Sequence, residues 1–145
     1  MELNDSVAEM AIAYAQTAVT LAQQYDGHLD YSEESLMELE SILARFCGQS
    51  PGSEDISETC KIWGSYLGEV VRRRFGGEWS IDAYPGKQFA TLALTVNSSR
   101  LFPSMKIHRR LTQGEAENVW SFYKMIKARL ESLPSNGRSP SSRLQ

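Results

Sequence analysis

The sequence predicts an α+β fold with three N-terminal helices, a small antiparallel sheet of two or three strands, and one C-terminal helix packed on that sheet. Apolar residues recur at helical spacing before residue 76, alternate with polar residues over 79–96, and return to helical spacing near the C-terminus. The 145 residues, 41% of them hydrophobic, suit one globular domain, which we expect to span residues 1–133. Residues 134–145 have too few apolar side chains to pack, so we expect a disordered tail.

The first two helices are predicted from apolar residues at alternating spacings of three and four. Residues 4–6 supply an N-cap for the first helix, and Gly27 ends it. Ser32 caps the second helix, and Gly48 ends it. The expected buried positions are Val7, Ala11, Tyr14, Ala18, Leu21 and Tyr25 in the first helix, and Leu36, Leu39, Ile42, Leu43 and Phe46 in the second.

The third helix is predicted between Ser53 and the glycine pair Gly76-Gly77, because glycine readily adopts the left-handed conformation that ends a helix. Gly64 and Gly68 lie one turn apart on one face of this helix. Each glycine costs about 1 kcal/mol relative to alanine in a helix interior. We therefore expect another element to pack very close to this pair.

The sheet is predicted from the alternating residues that follow the third helix. Residues 78–96 form a β-hairpin around Tyr84-Pro85-Gly86-Lys87, whose Pro-Gly centre suits a type II turn. Residues 100–107 are expected to form a third strand, at a sheet edge because Pro103 interrupts it. The last helix is expected to begin near Thr112, where Thr112-Gln113-Gly114-Glu115 has the form of a capping box.

Several classes of protein are excluded by the sequence. No apolar run approaches the roughly 18 residues of a membrane-spanning helix. The first residues are acidic and no apolar region follows them, so we expect no secretory signal and a cytoplasmic location. Two cysteines, Cys47 and Cys60, cannot form a disulfide framework.

The net charge of −3 hides an asymmetry along the chain. Residues 1–60 contain 12 acidic residues and one basic residue, whereas residues 61–145 contain 6 acidic and 14 basic residues. One interpretation is that the two halves attract each other on folding. The other is that one face of the protein binds a partner of opposite charge.

Two segments resemble a pattern of small uncharacterised bacterial proteins that are grouped as domains of unknown function. The first runs from Gly64 to Trp79, and its sequence GSYLGEVVRRRFGGEW has the pattern GxxLGExxRRxxGGxW. The second begins at Phe102, and its sequence FPSMKIHRRL has the pattern FPxxKxxxRL. The chain departs from the family at His108 and at Gln113-Gly114, where an Asn-Gly-like turn is expected. The resemblance covers residues 56–130 and implies a bacterial cytosolic α+β domain, with no activity attached.

Charged and aromatic residues in these segments are the candidates for a binding site. The candidate binding residues are Glu69, Arg72, Arg73, Trp79, Lys106, Arg109 and Arg110. The basic residues fall into two clusters, and if these converge they form an anion-binding surface. The clusters are Arg72, Arg73 and Arg74, and Lys106, His108, Arg109 and Arg110. The alternative is structural: Glu69 pairs with the arginines that follow it on the helix, and Trp79 belongs to the core.

The sequence predicts no catalytic set, no metal site and no cofactor. It contains no P-loop, no G-x-S-x-G and no C-x-x-C motif. His28 lies near Asp26 and Asp30, but such a cluster is more typical of a polar turn than of a metal site. A free cysteine such as Cys60 usually behaves as a small buried apolar residue.

Three functions remain open at this stage, and the sequence leaves the oligomeric state undetermined. We favour a non-enzymatic cytosolic domain that binds another protein in an accessory, adaptor or immunity-type role. The second is a small enzyme or ligand-binding domain with an anion site where Glu69, Arg73 and Arg110 meet the glycine pair. The third is nucleic-acid or anion binding by the basic clusters, against which the isoelectric point of 5.4 argues.

Overall fold

The computed structural model describes the backbone of residues 3–46 and 53–132 and the side chains of residues 6–45 and 56–132. This part of the chain confirms the α+β class. Its elements are α1 (Leu3–Ala22), α2 (Ser35–Phe46), α3 (Ser53–Phe75), β1 (Glu78–Ala83), β2 (Ala90–Val96), β3 (Ser99–Leu101), α4 (Pro103–Gln113) and α5 (Val119–Ser132). Cys47, Gly48 and the predicted disordered tail lie outside the described residues.

The sheet is antiparallel and has the order β1-β2-β3. Glu78 pairs with Thr95 and Ala83 with Ala90, which confirms the predicted hairpin. Its turn is closed by a hydrogen bond of 3.0 Å from the Lys87 N–H to the Tyr84 carbonyl. Gly86 has φ of +80°, as the third position of a type II turn requires.

Helix α3 forms the centre of the fold, because it packs against α1 on one side and α4 on another and also contacts β2. Its predicted buried residues, such as Trp63 and Leu67, lie in the core. The α1 side of this packing is made of alanines with no solvent exposure: Ala11, Ala15, Ala18 and Ala22. These short side chains let α1 lie close to α3, and the larger predicted residues of α1 are only partly buried.

The glycine pair in α3 is a point of close approach, which confirms the expectation from the sequence. A Cβ on Gly64 would lie 2.6 Å from the Cα of Ser104, in the first turn of α4. A Cβ on Gly68 would lie 2.2 Å from Cη2 of Trp79, at the start of β1. We call Gly64 and Gly68 the glycine notch, since together they admit a helix backbone and an indole ring.

The region after β2 differs from the prediction, because the expected strand over residues 100–107 ends at Leu101 and a helix, α4, follows. Pro103 does not interrupt an edge strand; it occupies the first turn of α4, where its missing N–H is no loss and its fixed φ suits the helix. Lys106 and Arg110 are among the buried residues of α4, so its inner face does not appear as an apolar stripe in the sequence.

The start of the last helix was also predicted wrongly. Thr112 lies in the last turn of α4 and donates its hydroxyl to the His108 carbonyl at 2.8 Å, so the expected capping box is absent. Asn118 caps α5 instead, because its Oδ1 accepts the Ser121 N–H at 3.0 Å. Helix α5 packs mainly on α2, while α4 contacts β2 of the sheet.

The glycine notch predicts that Gly64→Ala destabilises the protein. Alanine favours helix by about 1 kcal/mol over glycine, but here its Cβ would meet backbone atoms of α4 that cannot move aside easily. We expect a net loss of about 1–3 kcal/mol in the free energy of unfolding, measured by urea denaturation. The control is Glu58→Ala at an exposed position of α3, which should change stability little. A Gly64→Ala variant as stable as the parent would contradict the close approach.

Candidate functional site

Glu69 lies in a buried polar cluster between α3 and β1. Its side chain has no solvent exposure and accepts hydrogen bonds from Arg72 Nε at 2.6 Å and Arg72 Nη2 at 2.9 Å. The indole Nε1–H of Trp79 donates a third bond, at 2.8 Å. Gly68 leaves the space that the Trp79 ring occupies. The notch therefore allows Trp79 to reach the carboxylate.

Arg73 extends this cluster towards solvent. Its Nε donates to Glu69 at 3.2 Å, and its guanidinium carbon lies 3.6 Å from the centre of the Tyr31 ring, a cation–π contact. Burial by itself raises the pKa of Glu69, but the hydrogen bonds from Arg72, Trp79 and Arg73 outweigh it and hold that pKa below its ordinary value. Glu69 is therefore an ionised carboxylate that ties β1 to α3.

The second basic cluster forms a separate network around Glu117. Lys106 Nζ lies 2.7 Å from Glu117 Oε1, and Arg109 Nε lies 3.2 Å from the same oxygen. Arg109 also donates to the hydroxyl of Tyr84 at 2.6 Å. Hydrogen bonds from Lys106 and Arg109 hold the pKa of Glu117 below its ordinary value against a smaller opposing effect of burial. This network joins α4 to the β-hairpin.

Arg110 lies apart from both networks and is only 2% exposed. Its Nη2 and Nε lie 2.8 Å and 2.9 Å from Glu40 Oε2 on α2. Glu40 also accepts the Val119 N–H at 3.0 Å, so this carboxylate joins α2, α4 and the start of α5. The structure brings Glu69, Arg73 and Trp79 together, but it places Arg110 beside Glu40.

The acidic and basic halves of the sequence are paired across the fold. Besides Arg110 with Glu40, Arg74 lies 3.4 Å and Lys127 lies 3.1 Å from Glu33, just before α2. These contacts support the first interpretation of the charge asymmetry, in which the halves attract each other on folding. The other arginines and lysines of the two sequence clusters contact Glu69 or Glu117 of their own half, and His108 contacts no carboxylate among the described residues.

A groove of about 600 Å³ lies between α3, the β-hairpin and α4, and it is open to solvent. Its apolar lining includes Ile56 of α3, Phe89 next to β2, and Met105 of α4. The Phe89 ring is 45% exposed and stacks on Tyr84 with ring centres 5.9 Å apart. The groove thus combines a volume typical of ligand sites with an accessible aromatic surface.

The polar lining of the groove is basic. Lys61 of α3, Lys87 of the hairpin turn and His108 of α4 all line it, and none of its lining residues within the described chain is acidic. The side chains of these three residues form no hydrogen bond or ion pair with any described residue. Lys61 and Lys87 differ in this respect from the arginines and lysines of the two sequence clusters, whereas His108 belongs to the second cluster and lines the groove.

Two buried groups also border the groove. Cys60 is 5% exposed, and burial raises the pKa of its thiol to about 12, so it is a protonated thiol at neutral pH. Ser104 is 3% exposed, and its hydroxyl has no hydrogen-bond partner among the described residues. A serine hydroxyl both donates and accepts, so this group has unused bonding capacity.

Comparisons with known proteins leave the assignment to the structure itself. No family model matches the chain, and no curated protein or solved structure is significantly similar to it. The resemblance to a family of unknown function stays a prediction. Across residues 3–46 and 53–132 we find no helix with the length and hydropathy needed to cross a bilayer. The same residues contain no group of three or more His, Cys, Asp or Glu side chains suited to a metal ion.

The groove was missed in the sequence, although several of its residues were noted for other reasons. Lys61 and Lys87 stand alone in the sequence and belong to neither cluster of basic residues. Phe89 was assigned to a strand without regard to its exposure. The sequence signal for the groove is an isolated lysine near apolar residues, once on α3 and once on the hairpin turn. This pattern can be interpreted only when α4 is known to face the hairpin.

The Glu69 cluster predicts that Glu69→Gln destabilises the protein by about 1–3 kcal/mol at pH 7, because a neutral amide replaces the charged acceptor of arginine donors that are themselves partly exposed to solvent. Folding lowers the pKa of Glu69, so its contribution is full above the ordinary value of 4.5 and is lost as pH falls towards the lowered value. Urea denaturation from pH 7 to pH 3 should therefore show a shrinking difference from the parent. Glu131→Gln, at an exposed ion pair, is the control and should cost less than about 1 kcal/mol.

The raised pKa of Cys60 predicts a thiol that is protected in the folded protein. In a Cys47→Ser variant, where Cys60 is the one remaining thiol, reaction with iodoacetamide at pH 8 should be much slower than in urea. The measurement is the mass of the intact protein over time. Rapid modification under native conditions would contradict the burial of the thiol.

Proposed function

We propose that this protein is a non-enzymatic cytoplasmic domain that binds another protein, and that the groove is its binding surface. The observation that carries the proposal is the pairing pattern of the basic residues. The arginines and lysines of the clusters that stand out in the sequence form internal ion pairs, whereas Lys61 and Lys87 have no carboxylate partner among the described residues and line a groove with an exposed aromatic ring. Exposed aromatic surface is enriched at interaction sites, and charge without an internal partner can complement a partner of opposite charge.

The geometry gives less support to a catalytic or anion site at Glu69, Arg73 and Arg110. The carboxylate of Glu69 is fully buried and holds four hydrogen bonds from three side chains. Arg110 is buried against Glu40 on a different helix. These groups have partners within the fold, so their arrangement is accounted for by stability.

The basic clusters give equally little support to nucleic-acid binding. Nucleic-acid affinity depends on side chains that are free to neutralise phosphates. Arg72 is held by Glu69, Lys106 by Glu117, and Arg110 by Glu40. Binding a phosphate backbone at these positions would require those ion pairs to break.

Affinity capture from a lysate of the source cells tests the proposed function. The tagged chain should retain one protein in stoichiometric amount, in the presence of nuclease, as identified by mass spectrometry. The double variant Lys61→Glu, Lys87→Glu should lose at least about nine tenths of that protein, because reversed charges repel an acidic partner surface. The matched control is Arg129→Glu on α5, an exposed arginine outside the groove.

Two results would contradict the proposed function. Capture that is unchanged in the groove variant would place the binding surface elsewhere. Capture that disappears with nuclease would indicate nucleic-acid binding instead. Circular dichroism spectra and melting temperatures of both variants must match those of the parent, so that a loss of capture reports on the groove and not on folding.

A further inference from the structure

The groove carries a more specific inference about the partner, which rests on the proposed function. We infer that the groove receives an acidic peptide segment with one aromatic or long aliphatic side chain. The side chain packs on Phe89, and the carboxylates of the segment face Lys61 and Lys87. The other two strong candidates are the Glu69 and Glu117 clusters. Their charged groups pair with each other, so they offer no uncompensated charge to a ligand.

The charge of the occupant follows from the two lysines. Lys61 lies on α3 and Lys87 on the hairpin turn, so the positive charge comes from two elements that line the same groove. Neither ammonium group pairs with a described carboxylate, and no acidic residue is among the described lining residues. A ligand with negative charge at two positions complements this arrangement, whereas a basic ligand is repelled.

The apolar part of the occupant follows from the hydrophobic lining. Phe89 is 45% exposed although it stacks on Tyr84, and Ile56 and Met105 line the groove with it. A methionine adapts its shape to different apolar groups, and an aromatic ring offers a large contact area. Burial of one apolar side chain of the partner would remove this surface from water.

A peptide fits the remaining polar groups better than a compact ion does. Ser104 and His108 border the groove, and the hydroxyl of Ser104 is buried without a partner. The amides and carbonyls of a peptide backbone supply both donors and acceptors for the partly exposed imidazole of His108, and for the Ser104 hydroxyl only if its neighbours move aside. The groove is also open to solvent, as a site for a peptide segment requires.

The segments of this chain outside the described residues are poor candidates for the occupant. Residues 133–145 contain Arg138 and Arg143 and no acidic residue, residues 47–52 are uncharged, and residues 1–2 contain a single acidic residue, Glu2. None of these segments offers negative charge at two positions to the lysines of the groove. The charge pattern therefore favours a segment of a separate partner.

A random heptapeptide library displayed on phage tests this inference with the full chain as bait. Enriched sequences should combine Phe, Trp, Leu or Met with adjacent Asp or Glu. One enriched peptide is then synthesised with a fluorescein label, together with a version in which Asn and Gln replace the acidic residues. We expect the neutral version to bind at least about tenfold more weakly in fluorescence anisotropy, and the acidic peptide to lose affinity as salt increases.

Variants of the protein test whether the carboxylates of the peptide face Lys87 and whether its apolar side chain packs on Phe89. Lys87→Glu, on the exposed turn, and Phe89→Asp should each weaken the acidic peptide at least about tenfold. The matched controls are Arg129→Glu and Met125→Asp, which make the same changes of charge and polarity at exposed positions of α5. Both controls should keep the affinity of the parent.

Four results would overturn the inference. The first two are enriched peptides without acidic residues and no enrichment at all. The third is peptide binding that the groove variants leave unchanged. The fourth is binding of the fatty-acid anion dodecanoate by a protein that enriches no peptide, which would indicate a small amphipathic anion as the occupant. If the protein self-associates in analytical ultracentrifugation and Lys87→Glu abolishes this association, the occupant of the groove is a second copy of the chain.

The two proposals fail in different ways. If a protein is captured through the groove but the selected peptides contain no acidic residues, only the inference about the acidic segment fails. If capture is unchanged in the groove variants, the proposed function fails.

Discussion

The rest of the structure depends on the close approach of α4 and Trp79 to α3 at the glycine notch. Gly64 admits the first turn of α4, and Gly68 admits the indole of Trp79. Side chains at either position would push α4 and β1 away from α3. The Glu69 cluster would then lose the Trp79 hydrogen bond, and one wall of the groove, formed by α4, would move. Two residues that weaken helix locally thus permit the tertiary packing.

The notch also explains why the fold needs so many buried ion pairs. Close packing of α4 buries Lys106 and Arg110, and a buried charge is costly unless a carboxylate and hydrogen bonds compensate it. Glu117 and Glu40 provide this compensation from elements on either side of α4. Lys106 and Arg110 are therefore fixed in position by the fold and withdrawn from contact with external anions.

The sequence was sufficient for those parts of the fold that depend on local patterns. The first three helices, the hairpin and its turn were predicted because apolar spacing and glycine positions report directly on local structure. Helix α4 was missed because its inner face contains Lys106 and Arg110, whose burial depends on carboxylates distant in sequence. The residues of the Glu69 cluster were recognised, but Arg110 was grouped with them by charge, and no local pattern distinguishes Glu40 as its partner.

The groove shows why isolated charges can matter more than clustered ones in such a fold. Neighbouring arginines and lysines attract carboxylates during folding, and here every arginine and lysine of the two clusters contacts one. Lys61 and Lys87 have no described carboxylate partner. Both lie beside an apolar surface whose exposure to water is unfavourable. A partner that brings both negative charge and an apolar side chain satisfies both features at once. The proposed binding surface therefore rests on two lysines without a described carboxylate partner that lie together beside apolar surface, and not on the total charge of the protein.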